Sequence, residues 1–301
     1  MAWFVLAYAP RAAQALDVTV VYPQIGAPYA EIFDEILRGA QSSRQTNIRQ
    51  IQVSGEADPA EVRKQVAATK PDAVITLGPQ GYQLARDGGI PDGVPVVSGA
   101  VFLQPDGISG VSLAADPQLL FAYLHDLAPA TRKVHVVYDP AQNGWLIALA
   151  RQAAAKNGLQ LVEHQETSLR DAVRRYRDLI EAGLNDDDAI WLPVDTTTVY
   201  DKVVLPLLLQ AAWDKRLVVF SSKPTHAQKG ALFSLYPNNT ELGRQLVDLA
   251  ARQVQQGRSG KTVIEPMKKA LLAVNMRTAG HLGLRFSADQ EREFALVFPT
   301  R

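Results

Sequence analysis

Apolar positions along this chain follow two rhythms. Short, almost continuously apolar runs recur at Asp17–Tyr22, Ile48–Val53, Ala73–Leu77, Val94–Val97, Lys133–Tyr138, Leu159–Glu163, Ala189–Pro193 and Leu217–Ser221. Between them apolar residues return at helical spacing: Phe33, Ile36, Leu37 and Ala40 form one stripe, and Leu169, Val173, Tyr176 and Ile180 another. A third runs through Leu242, Leu246, Leu249 and Ala250. Nearly all-apolar strands separated by amphipathic helices predict parallel sheets covered on both faces. Asp58-Pro59-Ala60-Glu61 and Asp116-Pro117 supply a capping carboxylate followed by a first-turn proline, which starts a helix.

The alternation runs through four or five units, then restarts after Ile108–Leu113, with no Gly/Pro/Ser-rich linker between the sets. The expectation is an α/β protein of two Rossmann-like lobes joined by short ordered crossings. Ala231–Tyr236 and the helix from Asn239 lead back to the first lobe, and Ala270–Val274 crosses again. This gives three crossings, with residues 17–112 and 236–268 in lobe 1 and residues 113–235 and 269–301 in lobe 2.

Composition narrows the picture. The 301 residues are 47% hydrophobic and carry 31 basic and 31 acidic side chains, so neither disorder nor a general nucleic-acid or membrane-surface binder is indicated. The absence of cysteine excludes disulfides, thiol catalysis, Cys-ligated metals and a lipid-anchored cysteine. Trp3–Ala9 is a short apolar run followed by Ala13-Gln14-Ala15, which matches the tail of a secretory signal cleaved after Ala15, without its basic start. Residues 1–16 are therefore expected to be a signal remnant, and the mature protein a soluble periplasmic monomer that does not insert into the membrane.

In open parallel sheets ligands bind beyond the carboxyl ends of the strands. In the first set those loops carry Gln24 and the turn Gly78-Pro79-Gln80. That turn reads either as a carboxylate cradle at a helix start or as a plain strand-to-helix turn. Phe102, in the apolar loop Gly99–Leu103, reads either as a stacking wall or as a core edge. In the second set the loops carry Tyr138, Asn143 and Trp145, then Asp195 and Thr196, then Ser222 and Lys223. Polar groups mixed with aromatics after successive strands describe a small-molecule site.

Catalytic and cofactor patterns are missing. The five histidines are scattered, with no HExxH and no evident partner, and there is no GxSxG or GxGxxG after a strand. Gly260-Lys261-Thr262 resembles the end of a phosphate loop, but Gln255 replaces the earlier glycine. Asp186-Asp187-Asp188 reads as a solvated turn. No cofactor, metal or catalytic residue is expected.

Several motifs carry a family likeness. They are Val137-Tyr138-Asp139-Pro140, Leu192-Pro193-Val194-Asp195, Lys229-Gly230-Ala231-Leu232 with Tyr236 and Leu242-Gly243, and Ala273-Val274-Asn275-Met276-Arg277-Thr278-Ala279 with Leu282-Gly283-Leu284. From about Asp17 to Leu284 the chain resembles ABC transporter substrate-binding proteins related to the tryptophan- and phenylalanine-binding periplasmic proteins. The resemblance implies the type I periplasmic-binding fold, hinge closure on a small organic ligand, and delivery to an ABC permease. A membrane sensor such as a histidine kinase is the alternative partner, and a two-lobed enzyme a more distant one. It also implies that Asp195 pairs with a ligand amino group and that the Gly78–Gln80 turn holds a ligand carboxylate. The first half departs from the family pattern: Gln24–Pro28 lacks the family's histidine, Val101–Pro105 replaces an Asp-Pro loop, and Leu77-Gly78-Pro79 replaces Ala-Thr-Pro.

Overall fold

The computed structural model describes residues 15–43, 46–257 and 261–300. The expected signal remnant lies almost wholly outside them. In chain order the first block is β1 (Leu16–Pro23), α1 (Ala30–Gln41), β2 (Thr46–Val53), α2 (Pro59–Thr69), β3 (Ala73–Leu77), α3 (Gly78–Arg86), β4 (Val96–Val101) and β5 (Ser109–Ala115). The second block opens with α4 (Pro117–Leu127), β6 (Lys133–Tyr138), α5 (Pro140–Lys156), β7 (Gln160–Gln165) and α6 (Leu169–Ala182). It continues through β8 (Asp188–Leu192), α7 (Val204–Lys215), β9 (Val218–Ser221), α8 (Thr225–Lys229) and β10 (Phe233–Pro237). Then come α9 (Asn239–Gln256), β11 (Ile264–Met267), β12 (Ala270–Asn275), α10 (Met276–His281), α11 (Ala288–Glu293) and β13 (Phe294–Phe298).

The strands form two sheets, ordered β11-β5-β4-β3-β1-β2 and β13-β12-β10-β9-β8-β6-β7. The first is parallel throughout. In the second, β12 runs antiparallel to β10, and β13 follows β12. The chain passes between the sheets three times, at β5 to α4, β10 to α9 and β11 to β12. This is the α/β, two-lobed fold with a three-crossing hinge.

Strand alternation explains why both faces of each sheet need helices. Val18, Val20, Ala73 and Ile75 join the apolar faces of α1 and α9 in one core, while Val21 and Val74 face α2 and α3 in another. The second sheet repeats the device, with α4 and α5 on one face and α6 and α7 on the other. The Asp-Pro starts behave as expected. Asp58 accepts a bond from Ala60 N at 2.9 Å, Asp116 from Gln118 N at 2.8 Å and Asp139 from Ala141 N at 2.9 Å.

Two crossings are stitched together. Gln245 of α9 donates to Pro266 O at 2.9 Å and accepts from Lys268 N at 3.1 Å. Lys269 Nζ lies 2.9 Å from Glu241 Oε2. One expectation is corrected here. Asp188 does not sit in a solvated turn; it is buried at the start of β8, where its Oδ2 accepts from Asn185 N at 2.7 Å and its Oδ1 lies 3.5 Å from His135 Nε2. Its backbone pairs with β6 in the sheet, so its side chain must follow the pleat inward. No helix among the described residues is long and apolar enough to cross a membrane.

Candidate functional site

A cavity of about 140 Å³ opens between the two sheets. The first sheet contributes Phe102, Leu103 and Gln104 from the loop after β4, and Ser112 and Ala114 from β5. The second contributes Gln142, Asn143, Trp145 and Leu146 from the start of α5, Val194 and Thr196 after β8, and Ser222 after β9. All but the two β5 residues lie just beyond strand carboxyl ends.

Local structure sets the Phe102 wall. The β4–β5 register shifts between Ser98 and Val101, and Ala100 has φ +56°. Such a shift re-aims the residues that follow it. Leu103 is then buried, and its backbone is clasped by Ser112, whose Oγ accepts from Leu103 N at 2.9 Å and donates to Leu103 O at 3.1 Å. A Cβ on Gly110 would meet Leu103 Cδ1 at 2.3 Å, so Leu103 needs the glycine beneath it. Leu103 is thus packed as a core edge, and Phe102, half exposed, lines the cavity.

The opposite wall is a hydrogen-bonded lattice. Asp195 Oδ2 accepts from Asp139 N at 2.8 Å and Asn143 Nδ2 at 2.9 Å. Its Oδ1 accepts from Thr197 N at 2.9 Å and Thr198 N at 2.8 Å. Gln142 Oε1 accepts from Thr196 N and Oγ1, and Gln142 Nε2 donates to Asp139 Oδ2 and Thr197 Oγ1. Burial alone would raise the Asp139 carboxyl, but bonds from Ala141 N, Gln142 and Thr197 outweigh it and lower its pKa. Two carboxylates and two amides thus lock the β6 and β8 loops together behind the cavity.

Of the sequence candidates, Phe102, Asn143, Trp145, Thr196 and Ser222 converge on this cavity. Asp195 does not line this cavity; it is 4% exposed, has four donors on its two oxygens, and borders a neighbouring recess. Tyr138 is buried; its hydroxyl donates to Glu163 Oε2 at 2.9 Å, on the β7 side. Lys223 Nζ pairs with Asp201 Oδ1 at 2.8 Å and lines a neighbouring recess instead. Gln24, Gly78, Pro79 and Gln80 lie at the carboxyl ends of β1 and β3, respectively two strands and one strand further from β5 than the Phe102 loop. They do not line the cavity: Gln24 and Pro79 are exposed, and the Gln80 amide donates to Ser54 O. Gly78 has φ +74°, which suits glycine, and no side chain caps α3.

Sequence reasoning missed Leu103, Gln104, Ser112, Ala114, Gln142, Leu146 and Val194. Positions 142, 145 and 146 share a helical face, and 112 and 114 share a strand face, so periodicity carried the signal once a neighbour was chosen.

The histidines were also expected to lack an evident partner, and His135, His164, His226 and His281 are corrected. His226 Nδ1 lies 2.9 Å from Ser221 Oγ, and its Nε2 lies 3.1 Å from Asp201 Oδ1. The partners are close in space because β9 and the segment after β8 meet at one sheet end, which spacing along the chain does not show. The arrangement looks like a hydrolase triad, but Ser221 is fully buried, donates to Leu192 O at 3.0 Å and accepts from Lys223 N at 2.9 Å. Nothing can reach its hydroxyl as it stands. Burial lowers the His226 pKa, and burial of Asp201 is outweighed by bonds from Lys223, Lys229 and His226, which hold its carboxyl far below the usual range. His135 stacks on His164 beside Asp188, and His281 Nε2 lies 2.7 Å from Trp213 O.

No curated protein sequence matches the chain. Among solved structures, a substrate-binding protein with adhesive properties from Clostridium difficile, in its ligand-free open form, superposes with a TM-score of 0.60 at 16% identity, covering 95% of this chain and 100% of that one. An ABC domain from Streptococcus pneumonia in complex with L-Trp gives 0.53 at 17%, covering 95% and 100%. A conserved domain protein from Vibrio cholerae gives 0.51 at 18%, covering 94% and 100%. At these identities the likeness concerns the fold. The family model described as ABC transporter substrate binding protein matches residues 42–289, most of the length, and the chain belongs to that family.

Proposed function

We propose that this protein captures a small organic ligand in the cleft between its lobes, closes about the three-crossing hinge, and presents the closed form to an ABC permease in the periplasm. The observation that carries this reading is a cavity walled from both sheets, with Phe102 on one side and Trp145 and Ser222 on the other. A ligand shifts an open–closed equilibrium only through contacts made better in one state. A site divided between lobes supplies that difference. On this reading Gln24 and Gln80, further out on the first lobe, join the ligand shell on closure.

Native mass spectrometry of the purified full chain tests the reading. A stoichiometric small molecule, lost on denaturation and restoring thermal stability when added back, is the expected result. A chain that carries no ligand and gains stability from none in a broad metabolite screen would remove it.

A further inference from the structure

The cavity lining contains no charged side chain. The two carboxylates behind it are committed: Asp195 to four donors, and Asp139 to Ala141 N, Gln142 and Thr197. On the first lobe, the loops 22–29, 78–82 and 99–105 contain no ionisable side chain other than tyrosine. The neighbouring recess does carry charge: Asp195 is saturated there, Lys223 is paired with Asp201, and Lys202 is exposed. A free amino acid would bring an ammonium and a carboxylate into a cavity whose own lining has no charge to pair with either, and desolvating them there costs several kcal/mol.

What remains unspent is neutral. Ser222 Oγ accepts from Trp191 Nε1 at 2.9 Å and keeps its own proton to give. Asn143 Nδ2 faces two acceptors, Val194 O at 3.1 Å and Asp195 Oδ2, which fixes the amide orientation. Its Oδ1 then has no partner among the described residues. Gln104 offers both donor and acceptor beside Phe102. The space, about 140 Å³, is below the roughly 300 Å³ at the low end of drug-sized pockets.

We propose that the cleft selects an uncharged single-ring compound bearing an adjacent donor and acceptor, the lactam or amide edge of a nucleobase-type heterocycle, and rejects free amino acids. The ring lies against Phe102 and Trp145, its N–H gives to Asn143 Oδ1, and its carbonyl accepts from Ser222. This rests on the binding-protein reading and departs from the ammonium-pairing role that the family resemblance implies for Asp195.

The test is a thermal-shift and calorimetric panel on the purified full chain. Uracil, thymine and nicotinamide are set against L-tryptophan, L-phenylalanine and L-leucine. The expected result is a rise of about 2 °C or more with at least one neutral ring and none with the amino acids. Phe102→Ala should cut that affinity about tenfold, as for loss of a stacking contact, with the ligand-free melting temperature unchanged, because Phe102 is half exposed. An amino-acid response that disappears in Phe102→Ala would overturn the ligand class and leave the binding-protein reading standing. Silence from both panels would also overturn the class, while the native mass measurement decides the broader reading separately.

Discussion

Asp195 has two oxygens and four donors, three of them backbone N–H groups. Removing the carboxylate leaves those buried donors without an acceptor, at about 1–3 kcal/mol for each that water fails to satisfy. Asp195→Ala is therefore expected to lower folding stability by about 3 kcal/mol, read as a lower urea midpoint at an unchanged slope. A wild-type midpoint with lost ligand binding would instead make Asp195 a direct ligand contact. The His135–His164 pair sets an acid response. The rings are stacked, with His135 Nδ1 3.4 Å from His164 Nε2, so one nitrogen must donate and the other accept. Burial first, then the charges of His135 and Arg175, push His164 down to about 4. Burial also lowers His135, against the pull of Asp188. Between the unfolded value of about 6.5 and 4 the unfolded chain binds more protons than the folded one, so stability rises with pH across that window and falls on acidification. The urea midpoint should drop from pH 7 to pH 4.5, and His164→Gln should flatten that drop. An equal slope in the variant would exclude the pair as its source.

At the scale of elements, α1 and α9 touch backbone to backbone. A Cβ on Gly39 would lie 1.9 Å from Thr240 O, and one on Gly243 would lie 2.0 Å from Ile36 O. Neither obstacle is a flexible side chain, so the helices must separate to admit a methyl group. Gly243→Ala is expected to destabilise the protein by about 1–3 kcal/mol, measured by thermal or urea unfolding. Because α9 returns from the second block to cover the first sheet, the loss should appear in the lobe that carries Phe102. The same glycine belonged to the family-like Leu242-Gly243 motif, and the helix contact supplies its physical reason. Ser112 is the second device at this scale, since one hydroxyl ties the Leu103 backbone to β5 and so holds Phe102 at the cavity.

For the whole molecule, the three crossings place β5, β10 and β11 where rotation of one sheet against the other moves Phe102 relative to Trp145. The Gln245–Lys268 and Glu241–Lys269 contacts join two of those crossings, and the proposed closure would turn about them as a unit. Saturating ligand is expected to reduce the radius of gyration in small-angle scattering, and ligand at a hundred times its dissociation constant to add about 2.7 kcal/mol of stability. Binding with no change in scattering would place recognition within a rigid site and remove hinge closure.

Sequence alone determined the elements and their rhythm. Continuous apolar runs, helical stripes and Asp-Pro starts depend on short-range patterning, and they named most strands and the restart after β5. They also led to the loops that hold Phe102, Asn143, Trp145, Thr196 and Ser222. Two edge strands escaped: β11 holds Pro266 within its four residues and β13 exposes its three central residues, so neither shows a buried apolar run. Helix α7 escaped because its run from Val204 is apolar on nearly every side and contains Pro206, which blurs the stripe. Only the tertiary structure decided which polar side chains were already spent. A hydrogen bond is formed across space, between β6 and β8 loops more than fifty residues apart, so no spacing along the chain could reveal that Asp195 was saturated and Ser222 was not.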